Sequence, residues 1–289
     1  MRFTPGDGSE DIIDKRGERS DGGRGLGGAM SLLPFLLRFK YGWVILLAIV
    51  GFSYFKGALG GDGSGGPESA VAPHGKPTDT PAQFVGFVLD DVQKTWDSEL
   101  ARTSTPYRHA KLVLFTDATR TACGYGEAAT GPFYCPSDER VYIDLGFFEE
   151  LSRKLGAKGD FAQAYVIAHE IGHHVQKILG ISDRVHAAPR GAVQGASGLS
   201  VRLELQADCL AGVWSHFSEQ RNLLETGDLE EALNAAGAIG DDRLQRQSTG
   251  TVNPESFTHG SSAERAEWFR KGHDSGTLKG CDTFGKSAL

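Results

Sequence analysis

The chain has 289 residues, with 30 Lys and Arg, 37 Asp and Glu, and a formal net charge of −7. Its 39% hydrophobic and 23% charged residues are close to the average of globular proteins, which argues against wholesale disorder and against a polytopic membrane protein. The acidic balance excludes nucleic acid as a main partner, because phosphate binding depends on clustered lysines and arginines.

The N-terminal part of the chain divides into three segments of different composition. Residues 1–30 combine both charge signs with glycine and show almost no apolar periodicity, so they predict a disordered cytoplasmic tail. Residues 31–59 predict a membrane-anchor region, and residues 60–80 have the composition of a flexible linker. The folded domain is then expected to occupy residues 81–289.

The anchor is inferred from an uncharged run over residues 41–55. Extended to residue 59, the run reaches about the 20 residues that a bilayer requires. Arg38 and Lys40 precede it and Asp62 follows it, so the positive-inside rule places the N-terminus in the cytoplasm and the later domain outside the cell. This predicts a single-pass protein of the cell membrane whose residues 41–59 contact the lipid bilayer. A cleaved signal peptide and a buried core helix are the alternatives.

Hydrophobic periodicity and turn signals predict an α+β domain with a small sheet and several helices. The first helix is expected to have Thr80 as its N-cap and Pro81 as its first helical residue. Ser261 and Glu264 form a capping box that opens the last helix. The other predicted elements, in chain order, are strands at 111–116 and 140–145, a helix at 160–179, a mostly irregular stretch at 180–198, a helix at 199–217 and a short helix from about 228.

The four cysteines are Cys123, Cys135, Cys209 and Cys281. An even count in a domain outside the cell predicts disulfides, and four cysteines allow three pairings. Cys123 and Cys135 bracket a glycine-rich loop, so their pairing is the simplest, which leaves Cys209 with Cys281. The sequence has no Cys-x-x-Cys spacing, so a cysteine zinc site is not expected.

A His-Glu-Ile-Gly-His motif stands at residues 169–173, inside a predicted helix. Residues four apart share one face of a helix, so His169 and His173 can both reach one zinc ion. His174 lies about 140° round the helix from His169 and is not assigned as a ligand. Glu170 is the candidate general base, because its carboxylate can take a proton from the attacking water and pass it to the leaving amine. The alternative is a helix with two ordinary histidines.

A third ligand is predicted on the next long helix. Glu204 and Asp208 share a face through the same four-residue spacing, and the helix around them is mostly apolar. Two acids on a largely buried face need a partner, and a cation satisfies both. Glu204 is therefore predicted to bind zinc, while Asp208 accepts the outer N–H of a ligating histidine.

These motifs carry a family resemblance. HEIGHH followed by ELQAD is similar to the gluzincin pattern of a zinc-binding helix and a later Glu-x-x-x-Asp helix. CGYGEAATGPFYCPSDERVYIDLGFF, AYVIAHEIGHHVQ, SVRLELQADCLAGVW and FTHGSSAERAEWFRKG together resemble the neutral zinc metallopeptidase family typified by YpfJ-like bacterial membrane proteins. The resemblance covers about residues 80–285. It implies a zincin-like fold and a single Zn²⁺, but it supplies no substrate.

The expected function is that of a membrane-anchored zinc endopeptidase acting on a peptide or protein. Residues 140–145 are expected to form the edge strand of a zincin sheet, where an extended substrate could add as a further strand. One alternative is a zinc-stabilised binding or adaptor module that does not cut. Glu170 argues against this alternative, since a purely structural site has no use for a base beside an open coordination position. A cell-wall peptide amidase would use the same atoms and stays open.

His259 is the last candidate catalytic residue. Related gluzincins place a further histidine or tyrosine near the developing oxyanion, and His259 precedes the capped final helix, with Arg265 six residues later. This spacing resembles a motif of some membrane-associated gluzincins in which proline stands in place of Gly260. The alternative is a surface-loop histidine with an arginine at the start of a helix.

Overall fold

The computed structural model describes residues 1–6, 9–18, 79–101 and 103–285. The strands in these residues are β1 (Ile12–Asp14), β2 (Lys111–Phe115), β3 (Ala118–Thr121), β4 (Gly124–Glu127), β5 (Phe133–Cys135) and β6 (Arg140–Asp144). The helices are α1 (Thr80–Leu100), α2 (Gly146–Arg153), α3 (Asp160–Ile178), α4 (Ile181–Ala187), α5 (Leu199–Gln220), α6 (Asp228–Ala238), α7 (Asp241–Thr249) and α8 (Ser262–Ser275). The α+β class predicted from the sequence is therefore observed.

The main sheet has four strands in the order β1-β2-β6-β5. β1, β2 and β6 are parallel, and β5 runs antiparallel to β6, with Phe133 opposite Tyr142. The apolar strand β2 is buried over its last four residues because it lies between two neighbours. β6, which was expected to be the edge strand, also lies between two neighbours and has no free edge. Among the described residues the edge on that side of the sheet belongs to β5, which was not among the strands predicted from the sequence.

The N-terminal residues differ most from expectation. The prediction of a disordered tail is wrong for the described residues before residue 19, because β1 pairs in parallel with β2, with Ile13 opposite Val113. Phe3 packs edge-on against Phe84 of α1, with ring centroids 5.4 Å apart. The apolar residues here are too few to show a period, and they are buried only by distant parts of the chain.

The predicted transmembrane helix and the topology that followed from it are corrected. No helix among the described residues is long and apolar enough to cross a bilayer. The proposed anchor at residues 41–59 lies outside the described residues. A single crossing there would separate β1 from β2 by a membrane, whereas the two strands pair directly. A cytoplasmic N-terminus combined with a domain outside the cell is therefore wrong.

The long helices have the bounds predicted from the sequence to within a few residues, whereas most of the short helices were not predicted. α3 and α5 lie within three residues of their predicted bounds, and the capping box of Ser261 and Glu264 is present at the start of α8. Asp79, not Thr80, caps α1 by accepting a hydrogen bond from the Ala82 N–H. The short helices α2 and α7 were not predicted, and α4 occupies part of the stretch expected to be irregular. Helices of this length are marginal alone and depend on tertiary packing.

The core of the helical part surrounds α3, which packs against α1, α5 and α6. Phe161 of α3 stacks on Trp214 of α5, with ring centroids 5.4 Å apart. Further along the same pair of helices Gly172 faces Ala207, and a Cβ at Gly172 would lie 3.0 Å from the Ala207 carbonyl oxygen. The absence of a side chain at Gly172 thus lets the two helices that carry the predicted ligands cross closely.

Both predicted disulfides are confirmed. Cys123 is bonded to Cys135 at the end of β5, and Cys209 in α5 is bonded to Cys281 after α8. The first ties β5 to the β3–β4 hairpin. The second links the C-terminal segment to α5 directly after Asp208.

Candidate metal centre

The predicted ligands converge where α3 crosses α5. His169 Nε2 lies 3.2 Å from Glu204 Oε2, and His173 Nε2 lies 3.4 Å from Glu204 Oε1. Nitrogen and oxygen atoms of these three residues all lie within 4.8 Å of one another. Tetrahedral zinc, with bonds of about 2.0–2.2 Å, holds its ligand atoms roughly 3.3–3.6 Å apart. The spacing and the two-histidine, one-carboxylate donor set therefore fit a zinc ion with a fourth position open.

Glu170 stands beside the two histidines. Its side chain is largely buried and lines the same cavity as His169 and His173. His174, on another side of α3, is fully buried and bonds away from the ligands, so its exclusion from the ligand set agrees with the geometry. Burial lowers the pKa of His174, which keeps its ring neutral.

Asp208 connects the predicted ligand His169 to a buried charge network. Its Oδ1 lies 2.8 Å from His169 Nδ1, the position expected for a carboxylate that orients a ligating histidine. Arg265 of α8 donates to both Asp208 oxygens, from Nε and Nη2, at 2.9 Å each. The Tyr165 hydroxyl, one turn before His169, also donates to Asp208. Asp208 is 0% and Arg265 is 2% exposed, so the pair is desolvated.

The charges of the site stabilise one another in the metal-free protein. Burial alone would lower the pKa of His169, but Asp208 and Glu204 outweigh it and raise that pKa to about 10. Burial would raise the pKa of Glu204, whereas His173 and His169 hold it well below its usual range. Because zinc binds neutral imidazole, a metal ion would take the place of the proton on His169.

His259 lies on the rim of the same cavity, held by Asp241 at the start of α7. Its Nδ1 lies 3.1 Å from Asp241 Oδ1, and the other Asp241 oxygen accepts from the backbone N–H groups of Thr258, His259 and Gly260. The Asp241 carboxylate raises the pKa of His259 despite partial burial. His259 is half-exposed, so its ring can meet a bound molecule.

The cavity that contains these groups has a volume of about 540 Å³. One wall comes from α3, α5 and α8, with the predicted ligands and Arg265. Residues before and within β5 line the cavity as well, together with several apolar side chains. The apolar lining includes Phe133, Phe147, Leu155, Val166, Ile239 and Leu244.

A second cluster of acids among the described residues consists of Asp160, Asp228 and Glu231. The N-terminal amine of Met1 lies 2.8 Å from Asp160 Oδ1 and 3.1 Å from Asp228 Oδ1. This ammonium supplies the positive charge that these two carboxylates require. The cluster is therefore explained by an ion pair at the start of α3 and carries no claim to a metal.

Sequence reasoning missed two groups that complete the site. Tyr165 stands four residues before His169, so its place on the ligand face was available from helix geometry. Asp241 had no such signal, because it precedes His259 by eighteen residues and belongs to a helix that was not predicted. Arg265 had been noted only for its spacing from His259, and its pairing with Asp208 requires α8 to pack against α5.

The chain is similar to known proteins over most of its length. The family model described as "Putative neutral zinc metallopeptidase" matches residues 1–284. The chain is 47% identical to the uncharacterized protein YpfJ of Escherichia coli strain K12 over 294 residues, covering 99% of this chain and 100% of the relative. It is 45% identical to the uncharacterized protein Rv2575 of Mycobacterium tuberculosis over 194 residues, covering 63% of this chain and 65% of the relative. No solved structure shows significant similarity to the chain. With its whole length matched and its zinc-type donor set assembled, the chain belongs to this neutral zinc metallopeptidase family.

Proposed function

We propose that this protein is a zinc-dependent endopeptidase in which Glu170 is the general base. The proposal is supported above all by the position of Glu170, a largely buried carboxylate beside a donor set with one open position. His169, His173 and Glu204 would hold the ion, and Asp208 would orient His169. When bound, zinc supplies a Lewis acid that polarises the scissile carbonyl. Glu170 would take the proton of the attacking water and deliver it to the leaving amine.

His259 is proposed as the hydrogen-bond donor to the oxyanion. It shares the cavity with the ligands, and Asp241 binds its Nδ1, which leaves Nε2 free to point at a substrate. The raised pKa favours the protonated ring, in which both nitrogens donate. A donor placed before the charge develops stabilises the transition state without reorganisation.

The substrate is proposed to be an extended polypeptide that pairs with β5. Within the described part of the chain this strand pairs with β6 alone, and Phe133 and Tyr134 line the cavity. An edge strand offers backbone N–H and C=O groups to an added strand, and pockets beside it receive alternate side chains. Leu244, among the few exposed large apolar side chains of the described residues, borders the same cavity and suits an apolar substrate side chain.

The decisive experiment compares zinc content and proteolysis of casein for three proteins. Glu170→Gln should keep zinc and the fold but abolish hydrolysis, because glutamine is nearly isosteric and cannot accept the proton. Glu149→Gln, an exposed glutamate on α2, is the matched control and should behave like the parent. Hydrolysis by Glu170→Gln close to that of the parent would refute the proposed base.

A companion variant tests the ligand set. Glu204→Ala should lose most bound zinc, since a three-ligand site loses its charged ligand. Zinc bound by this variant as tightly as by the parent would rule out Glu204 as a ligand.

A further inference from the structure

The third histidine of the HEIGHH motif contacts the strand proposed to bind substrate. His174 Nδ1 lies 2.9 Å from the hydroxyl oxygen of Tyr134 in β5. Its Nε2 lies 2.6 Å from the backbone carbonyl oxygen of Arg108, in the segment leading to β2. His174 itself is 0% exposed. One buried ring thus connects the zinc helix to two separate parts of the sheet.

The hydrogen-bond partners define the tautomer of His174. A carbonyl oxygen can only accept, so Nε2 carries the hydrogen and donates to Arg108. In the neutral ring Nδ1 is then an acceptor, and the Tyr134 hydroxyl donates to it. Both nitrogens are used, and the ring cannot rotate without breaking two buried hydrogen bonds.

This contact adds to the two attachments of β5 described above, its ladder with β6 and the disulfide at Cys135. The strand has three residues, and among the described residues it has a hydrogen-bonded neighbour on one side only. Phe133 and Tyr134 line the cavity together with Pro132 and Pro136. A shift of Tyr134 would therefore displace the substrate-binding edge relative to His173, the ligand adjacent to His174 in α3.

We propose that the Tyr134–His174 hydrogen bond is a positioning element that sets the distance between the substrate-binding edge of β5 and the metal ligands on α3. The proposal rests on the peptidase function proposed above. Neither residue touches the reacting atoms. The pair acts through β5 on the binding of an extended substrate and leaves the zinc ligands in place.

Tyr134→Phe is the cleanest variant, because it removes the hydroxyl and keeps the ring packed beside His174. Tyr107→Phe is its matched control. The Tyr107 ring also packs against His174, with ring centroids 5.5 Å apart, but its hydroxyl faces Gln93, 3.4 Å away, and not β5. A second pair of variants tests the partner. His174→Leu removes both hydrogen bonds, and His174→Gln offers an amide donor and acceptor in their place.

Zinc content and Tm are measured for each variant. The values of kcat and KM are measured with two substrates, an internally quenched octapeptide that has leucine at its centre and an N-acylated dipeptide too short to pair with β5. Tyr134→Phe should raise KM for the octapeptide about 3- to 10-fold, the range for losing one hydrogen bond, with zinc content and kcat unchanged. KM for the dipeptide and all constants of Tyr107→Phe should stay at the parent values. His174→Gln should recover part of the KM effect of His174→Leu, and Tyr134→Phe should add no further loss to His174→Leu.

Peptide affinity gives an independent readout. In zinc-loaded Glu170→Gln, adding Tyr134→Phe should weaken binding of a labelled octapeptide by the same factor, about 3- to 10-fold. An unchanged KM and affinity in Tyr134→Phe, or equal losses for octapeptide and dipeptide, would overturn the positioning role while leaving the peptidase function intact. A parent protein that neither cleaves nor binds the octapeptide would overturn both proposals.

Discussion

The buried pair of Asp208 and Arg265 supports a quantitative prediction about stability. In Asp208→Leu the guanidinium of Arg265 keeps its charge but loses the carboxylate to which it donates two hydrogen bonds of 2.9 Å. With Arg265 2% exposed, water cannot replace that partner. Leaving one member of a buried ion pair uncompensated costs about 3–5 kcal/mol. The free energy of unfolding should fall by that amount.

The double variant separates the charge effect from simple loss of packing. Asp208→Leu combined with Arg265→Met replaces both charges by apolar groups, an exchange that is often close to neutral. The loss in free energy of unfolding should therefore be at least about 2 kcal/mol smaller in the double variant than the sum of the losses in the two single variants. Tyr165→Phe, which removes one hydrogen bond to the charged Asp208 but leaves Arg265 in place, should cost less, about 1.5–3 kcal/mol.

Urea unfolding of disulfide-intact protein measures these differences. A chelator must be present throughout, because bound zinc would add its own binding free energy to the stability of the parent. In a parallel thermal scan, Asp208→Leu should lower Tm by roughly 6–20 °C, at about 2–4 °C per kcal/mol for a domain of this size. Zinc affinity should fall about 10- to 100-fold in Asp208→Leu, since His169 loses the carboxylate that orients it.

Two outcomes would refute this reasoning. A loss below about 1 kcal/mol in Asp208→Leu would mean that the guanidinium finds another partner or reaches water. Additive losses in the double variant would mean that the two charges do not depend on each other. Either result would leave Asp208 without the role of coupling Arg265 to His169.

Four further predictions concern zinc binding, pH and catalysis. Gly172→Ala should weaken zinc binding in a chelator competition, because the added methyl would lie 3.0 Å from the Ala207 carbonyl oxygen and would move α3 away from α5. An unchanged zinc affinity would mean that the two helices accommodate the methyl group without moving the ligands. Zinc binding should release a proton at neutral pH, seen by calorimetry in buffers of different ionisation enthalpy, because the raised pKa of about 10 keeps His169 protonated in the metal-free protein. The stabilisation that protonated His169 gives the metal-free protein should be fully present below about pH 6.5 and lost as the pH rises through about 10. A free energy of unfolding in urea that does not change with pH over this range would contradict the prediction. His259→Ala should lower kcat about 10²- to 10³-fold with unchanged zinc content, and a normal kcat would return His259 to an ordinary rim residue.

Helix geometry explains why so much of the metal centre could be predicted. Two pairs of residues, His169 with His173 and Glu204 with Asp208, each depend on a four-residue spacing that a helix converts into a shared face. The capping box at Ser261 is equally local, since its two hydrogen bonds join residues three apart. Such relations need no knowledge of the rest of the fold, and the structure brings all of these residues to the expected faces.

Strand order could not be predicted in the same way. The segment at residues 140–145 was recognised as a strand, but its position between β2 and β5 depends on which strands it meets. β5 and β1 have three residues each, too short for an alternating pattern to emerge from their sequences. A β-strand satisfies its backbone only through a neighbour, and that neighbour can lie a hundred residues away, as β2 does from β1.

The same distinction divides the residues around the cavity. Composition and spacing, both local properties of the chain, were sufficient to predict the helix of His169 and His173, the later acidic helix and the simplest disulfide pairing. The contact of Asp241 with His259, the pairing of Arg265 with Asp208 and the bond between Tyr134 and His174 were decided by packing. Each contact joins side chains that are separated in the sequence. A buried polar group must find a hydrogen-bond partner, and the packing of the core decides which group lies close enough to be that partner.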